Sequence, residues 1–226
     1  SYPSTPMLLI YNPELVKGML RPIYKYALSH DWTFDFAPHD VGQYPILNGQ
    51  VYGENQLKYQ MPVEECGNML VMEANVALVT KDASFAQSHI EILEKWSKYL
   101  IEYGADPGNQ LCTDDFAGHL AHNCNLSLKA IMGLQGMSMI FDMLEDKEKS
   151  AYYRQEAEKM AENWLNTAVN EDGSTRLTFD STDGFSMKYN MVWDRVWGTG
   201  LFSQEFMDRE LSNNKKYFLK QNKSNS

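Results

Sequence analysis

The sequence predicts an all-α fold with its helices in two concentric layers, and three observations carry that reading. Segments apolar on nearly every side alternate with segments whose apolar residues recur only at helical spacing. Long loops rich in Gly, Pro, Asn and Asp precede the fully apolar segments, and short turns follow them. A repeated start signal, a proline at the first helical position with an acid in the first turn, marks two of the helices. A helix apolar all round must touch protein on every side, so these form the inner layer; a helix with one polar face belongs outside.

The elements follow in order. Asn12-Pro13-Glu14 combines a capping side chain, a first-position proline and an acid, which starts a helix running to about Ser29, with Pro22 expected to kink it. From His30 to Gln60 the periodicity stops for about 30 residues, a length that in a compact domain is functional or disordered. Trp32, Phe34, Phe36, Tyr44 and Tyr52 make this loop too aromatic for disorder. Met61-Pro62-Val63-Glu64-Glu65 starts the next helix, which continues as the buried run Met69 to Val79. Asp82 caps an amphipathic helix carrying Phe85, Ile92, Trp96, Tyr99 and Tyr103. After the Gly104 to Gly108 breaker, a buried helix is expected from about Asp115 to Leu144. An amphipathic one bearing Tyr153, Ala157, Met160, Trp164 and Ala168 follows it. Beyond the loop Asn170 to Ser186 lie an apolar, aromatic segment, Lys188 to Leu201, and a mixed one, Gln204 to Lys220. This makes about seven helices.

Composition narrows the function classes. A chain of 226 residues, 43% hydrophobic and with a net charge of −10, can bury a core and lacks the clustered Lys and Arg that phosphate backbones require. Nucleic-acid binding is excluded, and with no run of 18 apolar residues a membrane span is too. Residues 1 to 6 lack the basic-then-apolar form of a signal peptide. Cys66, Cys112 and Cys124 are odd in number and without zinc spacing, so buried thiols are expected. No nucleotide fingerprint is present, and no cofactor is expected.

If the inner helices run parallel, their N-termini share one rim, which collects Asp40, Glu64, Glu65, Asp114, Asp115, His119 and the segment Lys188 to Asp194. Each acid alone is what the helix macrodipole favours in any protein. Several at loop-to-helix junctions facing one cavity form a candidate site. Glu65 and Asp115 are the expected catalytic pair, with Asp40 as a third candidate. Glu64 and Asp114 are expected to tune or bind, and His39, His119, Asn123, Lys188, Tyr189, Asn190 and Asp194 to bind substrate. Asp115, His119 and His122 stand at spacings of four and three, as metal ligands on one helix face would. The stretch is not His-Glu-x-x-His and no further ligand is evident, so no metal is expected.

Four stretches at that rim carry a resemblance: Pro38-His-Asp-Val-Gly42 with Tyr44-Pro45, Met61 to Leu70, Thr113 to Asn123, and Lys188-Tyr-Asn-Met-Val-Trp-Asp194. In order and nearly without gaps, they resemble the glutaminase A-like family of fungal and bacterial proteins. The resemblance implies an (α/α)6 toroid of the six-hairpin glycosidase type, a preceding β-rich domain, and an extracellular or periplasmic location. Cys66 and Cys124 depart from the small residues expected at their positions. About seven helices are fewer than a ring of twelve, so a single, incomplete toroid domain is expected, completed by the rest of a parent protein or by another copy.

The resemblance implies hydrolysis of the glutamine amide, which ordinarily uses an activated Ser, Thr or Cys. Thr113 and Cys112 are candidates without a clear partner. A carboxylate pair across a toroid cavity suits glycoside hydrolysis instead. A non-catalytic helical scaffold is the third reading. Small-molecule or carbohydrate substrates are thus the expected ligands.

Overall fold

Asn12 does what its side chain dictates: its backbone is extended (φ −165°) and its Oδ1 accepts the Glu14 N–H at 3.0 Å. The chain therefore leaves a short helix, α1 (Thr5–Tyr11), and restarts as α2 (Pro13–Ala27). The computed structural model describes residues 1–47, 49–51, 55–112 and 118–224. Among these residues it holds nine α-helices and no strand, only isolated β-bridges between loops.

Two helices form the inner layer. Along α3 (Pro62–Thr80) every residue from Pro62 to Ala77 except Glu65 is buried, and along α6 (Cys124–Met143) every residue from Cys124 to Ser138 is. They run parallel, because their contacts rise together. A Cβ added at Gly67 would lie 2.6 Å from Lys129 Cγ, and one at Gly136 would lie 2.9 Å from Ala74 Cβ. Glycine is needed at both points, since any side chain would force the helices apart. Their N-termini share one rim.

The outer helices return antiparallel to them. At the end of α5 (Ile90–Tyr103), Gly104 packs against Ala130 near the start of α6. In α7 (Lys147–Ala168) Trp164 Nε1 donates to the Cys124 carbonyl at 2.8 Å, and Tyr153, Ala157, Met160 and Ala161 face inward. Lys159 and Glu158 stay exposed, as the amphipathic pattern requires.

Three expectations need correction. The helix after Asp82 is not continuous but breaks into α4 (Ser84–Gln87) and α5. The Phe85 carbonyl, which a continuous helix would pair with the His89 N–H, instead accepts from Ser88 Oγ at 2.7 Å and faces His89 Nδ1 at 2.9 Å. The buried helix expected from Asp115 starts at Cys124. His122 has a left-handed backbone (φ 61°), and Asn123 Oδ1 caps the Leu126 N–H at 2.9 Å. The apolar segment from Lys188 forms only a 3-10 turn, Tyr189–Met191, and the six-residue α8 (Val192–Trp197). It is not buried all round, as Val192 and Val196 are exposed, and Gly198 at φ 67° ends it. The last helix, α9, spans Gln204–Ser224.

Aromatic contacts hold residues 32–36 of the loop that follows α2. Phe34 and Phe36 stack at 4.9 Å, Trp32 and Tyr99 meet them edge-on, and Trp32 Nε1 donates to the Phe36 carbonyl. The Ala37 N–H then points at Cys66 Sγ at 3.4 Å, which ties the loop to the first turns of α3.

Candidate active site at the shared helix rim

The first turn of α3 lacks a capping side chain of its own, because Met61 stands at the N-cap. Gln110 supplies the acceptor from across the rim, its Oε1 taking the Val63 N–H at 2.9 Å. This leaves Glu64 and Glu65 projecting from one helix start into two different environments.

Glu64 is buried and forms an ion pair with Lys129 of α6, which is fully buried. Lys129 Nζ also sits 4.1 Å from the centre of the Tyr2 ring. Tyr2 in turn donates to Asn190 Oδ1 at 3.1 Å and accepts from Trp193 Nε1 at 2.5 Å. Asn190 closes the network by donating to the Asn125 carbonyl at 2.9 Å. One polar chain thus joins the N-terminal turns of α3 and α6 to the Tyr189–Met191 turn.

Glu65 is half-buried beside this pair. Burial, reinforced by the Glu64 charge, pushes its pKa up to about 7, while Asn68 and Lys129 pull the other way. Asn68 Nδ2 spans both acids, 3.4 Å from Glu64 Oε1 and 3.2 Å from Glu65 Oε2. Two adjacent carboxylates are therefore set apart by environment: one has a buried cation, the other holds a proton near neutrality.

The remaining candidates fall in several places. Asp114 and Asp115, with Thr113, lie outside the described residues. Asp40 accepts the Gly42 N–H at 2.9 Å and the Val51 N–H at 2.7 Å, so its carboxylate ties these two loop positions together. Its neighbour His39 has a buried Nε2 with no hydrogen-bond partner among the described residues, and burial lowers its pKa. His119 is exposed. His122 pairs on the surface with Asp106 at 2.8 Å, and it and His119 both stand in non-helical backbone before α6, so these two do not share a helix face. Among the described residues no group of His, Cys, Asp and Glu could hold a metal ion. Asn123 caps α6 and reaches Cys112 Sγ at 3.6 Å. Lys188 is buried, its Nζ 2.8 Å from the Ser186 carbonyl, and Tyr189 is half-buried beside it. Asp194 receives the Leu201 and Phe202 N–H groups, both at 2.9 Å, and holds the turn after α8.

Lys129, Tyr2, Asn68 and Asn125 were missed by sequence reasoning. Lys129 left a signal, since it is the sole charge between Cys124 and Phe141, and a lysine inside an all-apolar helix requires a buried partner. Tyr2 left none. All three cysteines are free and buried; burial pushes the Cys66 thiol up, and the Cys124 thiol up to about 12, so neither is a ready nucleophile.

The model of the glutaminase A six helical-hairpin domain matches residues 1–225. The chain belongs to this family. Glutaminase A of Aspergillus oryzae is 35% identical over 213 residues, covering 92% of this chain and 30% of the relative. A protein of Arthroderma benhamiae named as a probable glutaminase is 28% identical over 253 residues, covering 86% of this chain and 29% of its own. The chain thus spans less than a third of the length of these relatives. The family's six helical hairpins agree with the paired inner and outer helices described above.

Proposed function

We infer that this chain contributes the acid half of a hydrolase site, with glutamine as the substrate that the relatives' names suggest. The observation that carries the reading is Glu65, a half-buried carboxyl whose pKa of about 7 leaves it poised to give or take a proton at neutral pH. In amide hydrolysis Glu65 protonates the departing nitrogen, a second carboxylate takes a proton from water, and the water oxygen bonds to the carbonyl carbon. The products are a carboxylate and ammonia. Asp115 remains the proposed second carboxylate, with Asp40 as the alternative. The Glu64 charge helps keep the neighbouring proton on Glu65, and Lys129 pairs with Glu64.

A glycoside substrate is the second reading, favoured by one observation: burial raises the Cys66 and Cys124 thiols, so neither is a ready nucleophile for amide hydrolysis, while Glu65 offers the acid that glycoside hydrolysis uses. A single helical domain joined in the longer protein to a β-rich one, and an extracellular or periplasmic location, belong to the same proposal. Separating culture medium from cell lysate checks the location.

The test is Glu65→Gln, assayed for ammonia release from glutamine and for sugar release from a glycoside panel. A loss of about 10²- to 10⁴-fold on one substrate class assigns the reaction. Unchanged turnover on whichever substrate is active removes Glu65 from the mechanism.

A further inference from the structure

A second site lies away from the rim carboxylates, between the 170–186 loop and α9, in a cavity of about 610 Å³. Its inner wall carries Glu210, which is 7% exposed. Thr175 Oγ1 donates to Glu210 Oε1 at 2.8 Å, but Oε2 is buried without a hydrogen-bond partner among the described residues. One helical turn further on, Asn214 Oδ1 is in the same condition, and both residues line the cavity. Buried acceptors left without donors are strongly disfavoured, so this pair calls for a ligand that brings N–H or O–H groups inside.

The rest of the wall narrows the chemistry. Lys216 and Lys220 are exposed on the same cavity and make no ion pair among the described residues. Asp172, also on the wall, is occupied locally, since the Ser174 N–H and Oγ–H donate to its Oδ1 at 2.9 and 2.6 Å. A bare divalent cation would need more carboxylate oxygens than this leaves. A neutral polyol would satisfy the inner acceptors but make no use of the two ammonium groups at the cavity mouth, which are open to an anion. A molecule with a cation at one end and an anion at the other meets both demands.

We propose that this cavity binds a free α-amino acid, its ammonium on Glu210 Oε2 and Asn214 Oδ1 and its carboxylate at Lys216 and Lys220. The Phe185 and Tyr217 rings, stacked at 3.8 Å, give its side chain an apolar wall. The proposal does not rest on the reaction at the rim. Isothermal titration of the chain with leucine and glutamine tests it, against isobutylamine, acetate, glucose and calcium chloride. The expected result is saturable binding of an amino acid that neither the amine nor the acid alone reproduces. Glu210→Gln is expected to weaken it at least about 10-fold, as the loss of a charge-assisted contact does. The surface variant Lys216→Gln with Lys220→Gln should weaken it similarly, whereas Glu65→Gln leaves leucine binding unchanged. No heat with any amino acid at millimolar concentration overturns the proposal. So does binding of glucose or calcium in its place, or wild-type affinity in the lysine variant.

Discussion

Replacing Lys129 by Met isolates the interaction on which the rim depends. Lys129 and Glu64 have side chains 0% and 2% exposed, so neither can turn to water when the other is removed. Met keeps much of the aliphatic stem that packs under Gly67 and the Tyr2 ring, and deletes only the charge. Breaking a fully buried pair from one side costs about 3–5 kcal/mol, because an uncompensated charge is left in a low-dielectric interior. A chain of this size loses roughly 2–4 °C of Tm per kcal/mol, so Lys129→Met should melt about 6–20 °C lower. The double variant Glu64→Gln with Lys129→Met should recover most of the loss, because no buried charge remains. Urea titrations of the four proteins in this cycle give the coupling directly. A single-variant cost under about 1 kcal/mol, or a double variant no better than the single, would refute the account, since only exposed pairs are worth that little.

The remaining predictions concern the inner helices. Glu73, fully buried in the middle of α3 with Tyr24 donating to it, has its pKa pushed up to about 7 by burial. A raised carboxylate pKa favours the protonated folded state. The penalty is absent below the unfolded value near 4.5, grows through the interval and is complete above 7, where it reaches about 3 kcal/mol. Glu73→Gln should therefore flatten the fall of stability between those pH values in urea melts; an unchanged pH profile would count against it. Gly67→Ala should destabilise by about 1–3 kcal/mol through its clash with the pinned Lys129 stem and carbonyl, whereas the open Gly18 should tolerate alanine. Asn123→Ala should cost about 0.5–2 kcal/mol by leaving the Leu126 N–H uncapped.

Local signals were legible wherever neighbours in sequence complete the structure. Asn12-Pro13 and Pro62 with its acids started helices as read, because a cap and a first-turn acid act within four residues. Short-range competition was harder to see. The break at Ser88 and His89 comes from side chains taking one carbonyl, and hydrophobic spacing passes over it unbroken. The expected start before Cys124 was too early because His119 and His122 at helical spacing also fit a loop that ends on the Asn123 cap.

The sequence by itself determined the helical class and the inner or outer standing of the four central helices, both of which follow from patterning along one segment. Tertiary structure alone decided that α3 and α6 approach over Gly67 and Gly136, that Lys129 meets Glu64, that burial raises the pKa of Glu65 beside them, and that Tyr2 joins Asn190 across 188 positions. The physical reason is range. Burial and pairing depend on which distant groups share a low-dielectric space, and only the packed chain brings those groups together.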